Sequence, residues 1–171
     1  MCASFRRLLV PAMLGATVAL WAADLTLVAG QSPVRAGEDP ILGTWNLDVA
    51  KSNYSPGPPP RSERRTHEAH RDGLKVTIKR MEADGRSTFI QYTAEYNSME
   101  YPVSGSSEVD TIALRRVNTY TAEATLMHAG KEMGIARRAI SEDGKTMTIT
   151  FQGTDSRGRF DNVAVYERES K

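Results

Sequence analysis

Lys145-Thr146-Met147-Thr148-Ile149-Thr150-Phe151-Gln152 alternates apolar and polar side chains without a break. Met147, Ile149 and Phe151 fall on one face and Thr146, Thr148 and Thr150 on the other, the period-two pattern of a half-buried strand. Residues 74–81 repeat it, with Leu74, Val76 and Ile78 opposite Lys75, Thr77 and Lys79. Working outward, compatible runs rich in Thr, Val, Ile and Tyr cover 43–49, 62–70, 87–96, 100–103, 111–117, 120–128, 132–140 and 159–169, which makes ten candidate strands. Turn residues separate many of them, at Asp72-Gly73, Asp84-Gly85, Ser104-Gly105, Asp143-Gly144 and Ser156-Arg157-Gly158, where Asp-Gly supplies the positive φ that tight hairpins need. After residue 31 no stretch keeps an apolar 3.6 period over the length of a helix. Short loops make consecutive strands neighbours, and closing the meander removes the exposed edges of an open sheet. The expected fold is therefore all-β: one antiparallel up-and-down β-barrel of about ten strands over residues 40–171.

Two segments stand outside this rhythm. Ser52-Asn53-Tyr54-Ser55-Pro56-Gly57-Pro58-Pro59-Pro60 carries four prolines that cannot donate to a ladder, so it reads as an extended connector between the first two strands, packed across one end of the barrel with Tyr54 as its anchor. At the other extreme, Arg6 and Arg7 precede an uncharged run over 8–23, and small residues follow at Ala22, Ala23 and Val28-Ala29-Gly30. That order is a secretory signal peptide over 1–30, followed by a flexible mature N-terminus over 31–39. Residues 8–30 are also long enough to span a bilayer as an uncleaved anchor, although Pro11, Gly15 and Asp24 weaken such a span. The expected location is exported, periplasmic or extracellular.

Charge excludes several classes. The chain has 22 Lys+Arg against 21 Asp+Glu, and loss of residues 1–30 leaves basic and acidic side chains equal in number, so no field exists for gripping a phosphate backbone. Nucleic acid is not an expected partner, and membrane contact is expected only through the N-terminal segment. Cys2 is the one cysteine, which rules out a disulfide framework and Cys-ligated metal in the mature chain. No Gly-x-Ser-x-Gly elbow, thiol nucleophile or phosphate loop is present. We expect a protein that is not an enzyme, has no cofactor or metal and is a monomer. His67 and His70, at i and i+3, point to opposite faces of a strand, and the reading for both is solvated histidines beside Arg64, Arg65 and Arg71.

Gly43-Thr44-Trp45 opens the first strand, and this Gly-x-Trp resembles the signature of lipocalins and the wider calycin barrels. The segment 39–60 is also similar to a set of small exported bacterial proteins of unassigned function. The resemblance implies that Gly43 and Trp45 close the base of the barrel with a basic side chain from the last strand, for which Arg168 is the match; an Arg over an indole gains roughly 0.5–2 kcal/mol. Ten strands suit the fatty-acid-binding-protein style of calycin better than the eight of a lipocalin.

Aromatic side chains with polar handles suit a small apolar ligand. Phe89, Tyr92, Tyr96 and Phe151 are the candidate lining, and Arg116 or Arg137 would fix a polar head if they share the faces of Leu114 and Ile135. The expected function is an exported binding protein for a hydrophobic or amphipathic small molecule, including an anionic lipid-like one, held in the barrel interior. The alternative is a ligand-free structural or protein-interaction module of the cell envelope with a filled barrel.

Overall fold

The computed structural model describes residues 39–155 and 158–170. The expected signal peptide, most of the expected flexible N-terminus, and Ser156 and Arg157 of one expected turn lie outside the described residues. Ten strands follow one another: β1 (Gly43–Asn53), β2 (Ser62–His70), β3 (Gly73–Met81), β4 (Ser87–Glu95), β5 (Glu100–Ser104), β6 (Thr111–Asn118), β7 (Thr121–His128), β8 (Lys131–Ile140), β9 (Thr146–Asp155) and β10 (Gly158–Arg168). Each is antiparallel to its neighbours in sequence, and β10 returns to pair with β1, so the sheet is a closed ten-stranded up-and-down barrel. β1 runs four residues beyond the alternation read from sequence, because an irregularity between Asp48 and Asn53 lets its end stay beside β10.

Facing residues of an antiparallel pair share a side, so the register carries the inward set around the circumference. Leu74 faces Ala94, Val76 faces Tyr92, Ile78 faces Ile90, Tyr166 faces Met147 and Ala164 faces Ile149. Leu74, Val76, Met147, Ala164 and Tyr166 are all fully buried. The turns follow the expected glycines at Gly85, Gly105 and Gly144, all at positive φ. The Asp72-Gly73 expectation needs correction: the left-handed residue is Arg71, with φ 46°, and Gly73 already belongs to β3. Glycine is required at 73 for space, since a Cβ there would stand 2.0 Å from the carbonyl oxygen of Ala94.

One end of the barrel is plugged. Residues 39–42 fold across it, with Ile41 1% exposed, and the Trp45 indole N–H donates to the Ile41 carbonyl at 2.7 Å. Trp45 faces Arg168 in the β1–β10 register, and the guanidinium lies 4.2 Å from the indole centroid. Its N–H groups donate to the carbonyls of Leu42 (2.6 Å), Gly144 (2.5 Å) and Pro40. At the opposite end the proline connector rests on β10, the Asp161 amide donating to the Ser55 carbonyl at 2.8 Å and the Ser55 amide to Asn162 Oδ1 at 2.9 Å.

Gly43 sits at φ +124°, and a Cβ there would meet Arg168 Nη1 at 2.8 Å. Gly43→Ala should destabilise the fold by about 1–3 kcal/mol in urea denaturation. Gly57→Ala, also at positive φ but with nothing within 4 Å of the added methyl, should lose less; equal losses would show that displacement of Arg168 contributes nothing.

Candidate functional site

Above the plug the barrel is not filled. A cavity of about 210 Å³ opens toward the end where the β3–β4, β5–β6 and β9–β10 turns lie. Its apolar wall comes from Ile78, Ile90, Leu114, Ala136, Ile149 and Phe151, and its polar wall from Arg65, His67, Tyr92 and Arg138.

β2 supplies an unusual inward face. Glu63, Arg65 and His67 are 3%, 6% and 3% exposed, while Arg64, Glu68 and His70 face solvent. The hairpin fixes this: with Arg71 and Asp72 as the turn, His67 faces Val76, Arg65 faces Ile78 and Glu63 faces Arg80, so β2 inherits its orientation from the apolar face of β3. Burial alone would raise the Glu63 carboxyl, but the guanidiniums of Arg65 and Arg80 and the Tyr166 hydroxyl hold it down to about 2. Arg80 Nε donates to Glu63 at 2.5 Å, Tyr166 Oη at 2.7 Å, and Arg65 Nε bonds both Glu63 and, at 3.1 Å, Tyr166 Oη. Arg65 also lies over the rings of Tyr166 (5.3 Å) and Phe151 (5.7 Å). Tyr54, half-buried on the connector, completes the rim beside Arg80.

His67 has a different environment. Its Nδ1 is buried without a hydrogen-bond partner among the described residues, and burial, reinforced by the positive charges of Arg138, Arg65 and Arg168, pushes its pKa well below the usual imidazole value. It is a neutral ring facing the cavity. The expectation that His67 is solvated is therefore corrected, whereas His70 does lie on the outer face and His128 is exposed.

Of the candidate lining residues, Tyr92 and Phe151 stand in the cavity wall. Phe89 does not: it is 50% exposed on the outer face of β4, because it alternates with the inward Ile90. Tyr96 and Arg116 point inward but belong to the plug. Arg116 lies 3.9 Å from the Tyr96 ring and donates to Asp39 at 2.5 Å, and Tyr96 Oη donates to the same carboxylate at 3.0 Å. Burial pushes the Tyr96 phenol up to about 12, so it stays a donor. Arg137 is exposed and pairs with Glu123 on the outside of the barrel, which corrects its expected interior role. The cause is a bulge at Met133. β7 and β8 pair His128 with Lys131 and Met127 with Glu132, then skip one residue to pair Leu126 with Gly134. That step turns Ile135 and Arg137 outward and brings Ala136 and Arg138 in. Arg138 donates to Tyr96 Oη at 2.7 Å.

The sequence reading missed Glu63, Arg65, Arg80 and Arg138. Hairpin arithmetic could have found the first three, and the β8–β9 pairing of Ile140 with Met147, which sets Arg138 opposite Ile149, could have found the fourth. Compared with protein-family models and with curated proteins, the chain matches none.

Glu63→Gln strips two guanidiniums of their counter-charge, one of them fully buried, and should cost about 3–5 kcal/mol in urea denaturation. The acid side of the stability profile has two parts. Glu63 is depressed in the folded state, so below about 4.5 the unfolded chain takes up its proton first, and stability falls as pH drops toward about 2. His67 is also depressed, so protonation of the unfolded chain erodes stability from about pH 6.5 downward. His67→Gln should flatten the profile between about pH 6.5 and 5; an unchanged slope there would contradict the neutral buried ring.

Proposed function

We propose that this chain is an exported, calycin-like binding protein that holds a small amphipathic molecule in the barrel interior. The observation that carries the reading is the cavity itself: about 210 Å³, walled by apolar and aromatic side chains with a few convergent polar groups, the usual make-up of a small-molecule site. A barrel serving only as a scaffold would be expected to fill this space with its own side chains, since voids forfeit packing energy. Gly43, Trp45 and Arg168 close one end and leave the other accessible, which is the arrangement a carrier needs. Residues 1–30 supply the export route in this reading. No reaction is assigned to the site.

Solvent extraction of the purified, denatured protein followed by mass spectrometry should release a small molecule. An apolar fluorescent probe should bind the native protein, and Ala136→Phe, which places a ring in the cavity, should weaken it by about tenfold or more without loss of the cooperative thermal transition. Absence of both extracted ligand and probe binding would favour a ligand-free interaction module instead.

A further inference from the structure

We propose that the ligand is a small organic monoacid of one-ring or short-chain size, with its carboxylate held on the floor side of the cavity by Arg138 and His67. This rests on the interior-binding reading above and narrows it to a chemical class.

The first ground is charge. Arg65, Arg80, Arg116, Arg138 and Arg168 all project inward, and the carboxylates that meet them are Asp39, Glu63 and, 3.8 Å from Arg80, Glu82. Four of these cations are engaged: Arg65 and Arg80 by Glu63, Arg116 by Asp39, and Arg168 by three backbone carbonyls. Arg138 is the exception. It donates to Tyr96 Oη, and none of the ion pairs among the described residues includes it. A guanidinium has five N–H donors in a planar fork that matches a carboxylate, so most of its donors remain unspent. Glu123 also borders the cavity, but its carboxylate bonds outward to Arg115 and Arg137. Glu108 and Asp155 lie at the mouth, and both have interactions of their own.

The second ground is His67. A buried polar atom without a partner is rare in a folded protein, and His67 Nδ1 is one, on a side chain that borders the cavity and is 3% exposed. The ring is one residue step below Arg65 on the inner face of β2, toward the plug, and Arg138 is likewise near the plug end of β8. A carboxylate seated between them gives the imidazole N–H an acceptor and Arg138 its counter-charge. Tyr92, opposite Val76 and so two strands from His67, borders the same space. The rest of the ligand would lie against Leu114, Ile149, Phe151 and Ile90.

Size sets the limit. The cavity exceeds the roughly 150 Å³ space known to take up benzene, and it falls short of the roughly 300–1,000 Å³ of sites for larger ligands. A single ring or a short chain fits, and a long acyl chain would have to leave through the mouth.

Calorimetric titration of the full chain with benzoate, benzyl alcohol and palmitate tests the proposal. Benzoate should bind, with benzyl alcohol at least about tenfold weaker and palmitate no tighter than benzoate. Arg138→Gln should lose about tenfold or more for benzoate while leaving benzyl alcohol unchanged, and Arg137→Gln, on the outer face of the same strand, should bind benzoate like the native chain. Benzyl alcohol binding as tightly as benzoate would overturn the acid while leaving interior binding intact. Palmitate binding more tightly than benzoate would overturn the size limit. No binding of any of the three would overturn both readings. Should Arg138→Gln fail to fold, the comparison of benzoate with benzyl alcohol on the native chain decides alone.

Discussion

A cylinder of strands has no edges but has two ends, and in this protein the fate of one end depends on a single guanidinium. Arg168 lies over Trp45 and reaches three backbone carbonyls, those of Pro40, Leu42 and Gly144. Those carbonyls belong to the plug segment and to the β8–β9 turn, where no strand is available to pair them, and a buried carbonyl without a donor is costly. The planar fork meets all three while it stands 4.2 Å from the indole centroid. Because this end is shut, the space above it is a cavity with a floor and not a channel, and polar groups near the floor can define an orientation for whatever enters.

The interior above that floor is more polar than folding requires. Buried ion pairs such as those around Glu63 contribute little to stability on balance, since desolvation offsets most of the attraction, and apolar side chains of similar volume would serve as well or better. Yet Arg65, His67 and Arg138 occupy positions on β2 and β8 whose neighbours in register are Ile78, Val76 and Ile149, and Glu63 and Arg80 face each other across β2 and β3. Arg65 and Arg80 lock Glu63 as an anion at the rim side, while His67 and Arg138 keep unspent hydrogen-bonding capacity lower down. The asymmetry separates a self-satisfied upper cluster from a lower one with hydrogen-bonding capacity left over, and both border the cavity.

Much of this was legible in residues 145–152 and 74–81, where one face is apolar and the other polar, so that the orientation of β9 and β3 follows from alternation alone. β2 gave no such sign. Glu63, Arg65 and His67 are as polar as Arg64, Thr66 and Glu68, and only the two-residue turn at Arg71 and Asp72, which locks β2 onto β3, shows which set goes inside. β8 was misleading in a more specific way. Continuing its hairpin from His128 and Lys131 without interruption would set Ile135 and Arg137 opposite Ala124 and Ala122 and therefore inside, and the bulge at Met133 shifts the parity by one. A single inserted residue thus exchanged Arg137 for Arg138.

The sequence by itself determined the class of fold and the number and order of strands, because alternation, turn residues and chain order act locally; the pairing of Trp45 with Arg168 was implied by the resemblance that Gly43-Thr44-Trp45 carries. The tertiary structure alone decided which charged side chains share the interior and how much room they leave. Those properties depend on the register of each strand pair, and a bulge such as the one at Met133 reverses the facing of the residues that follow it in its own strand.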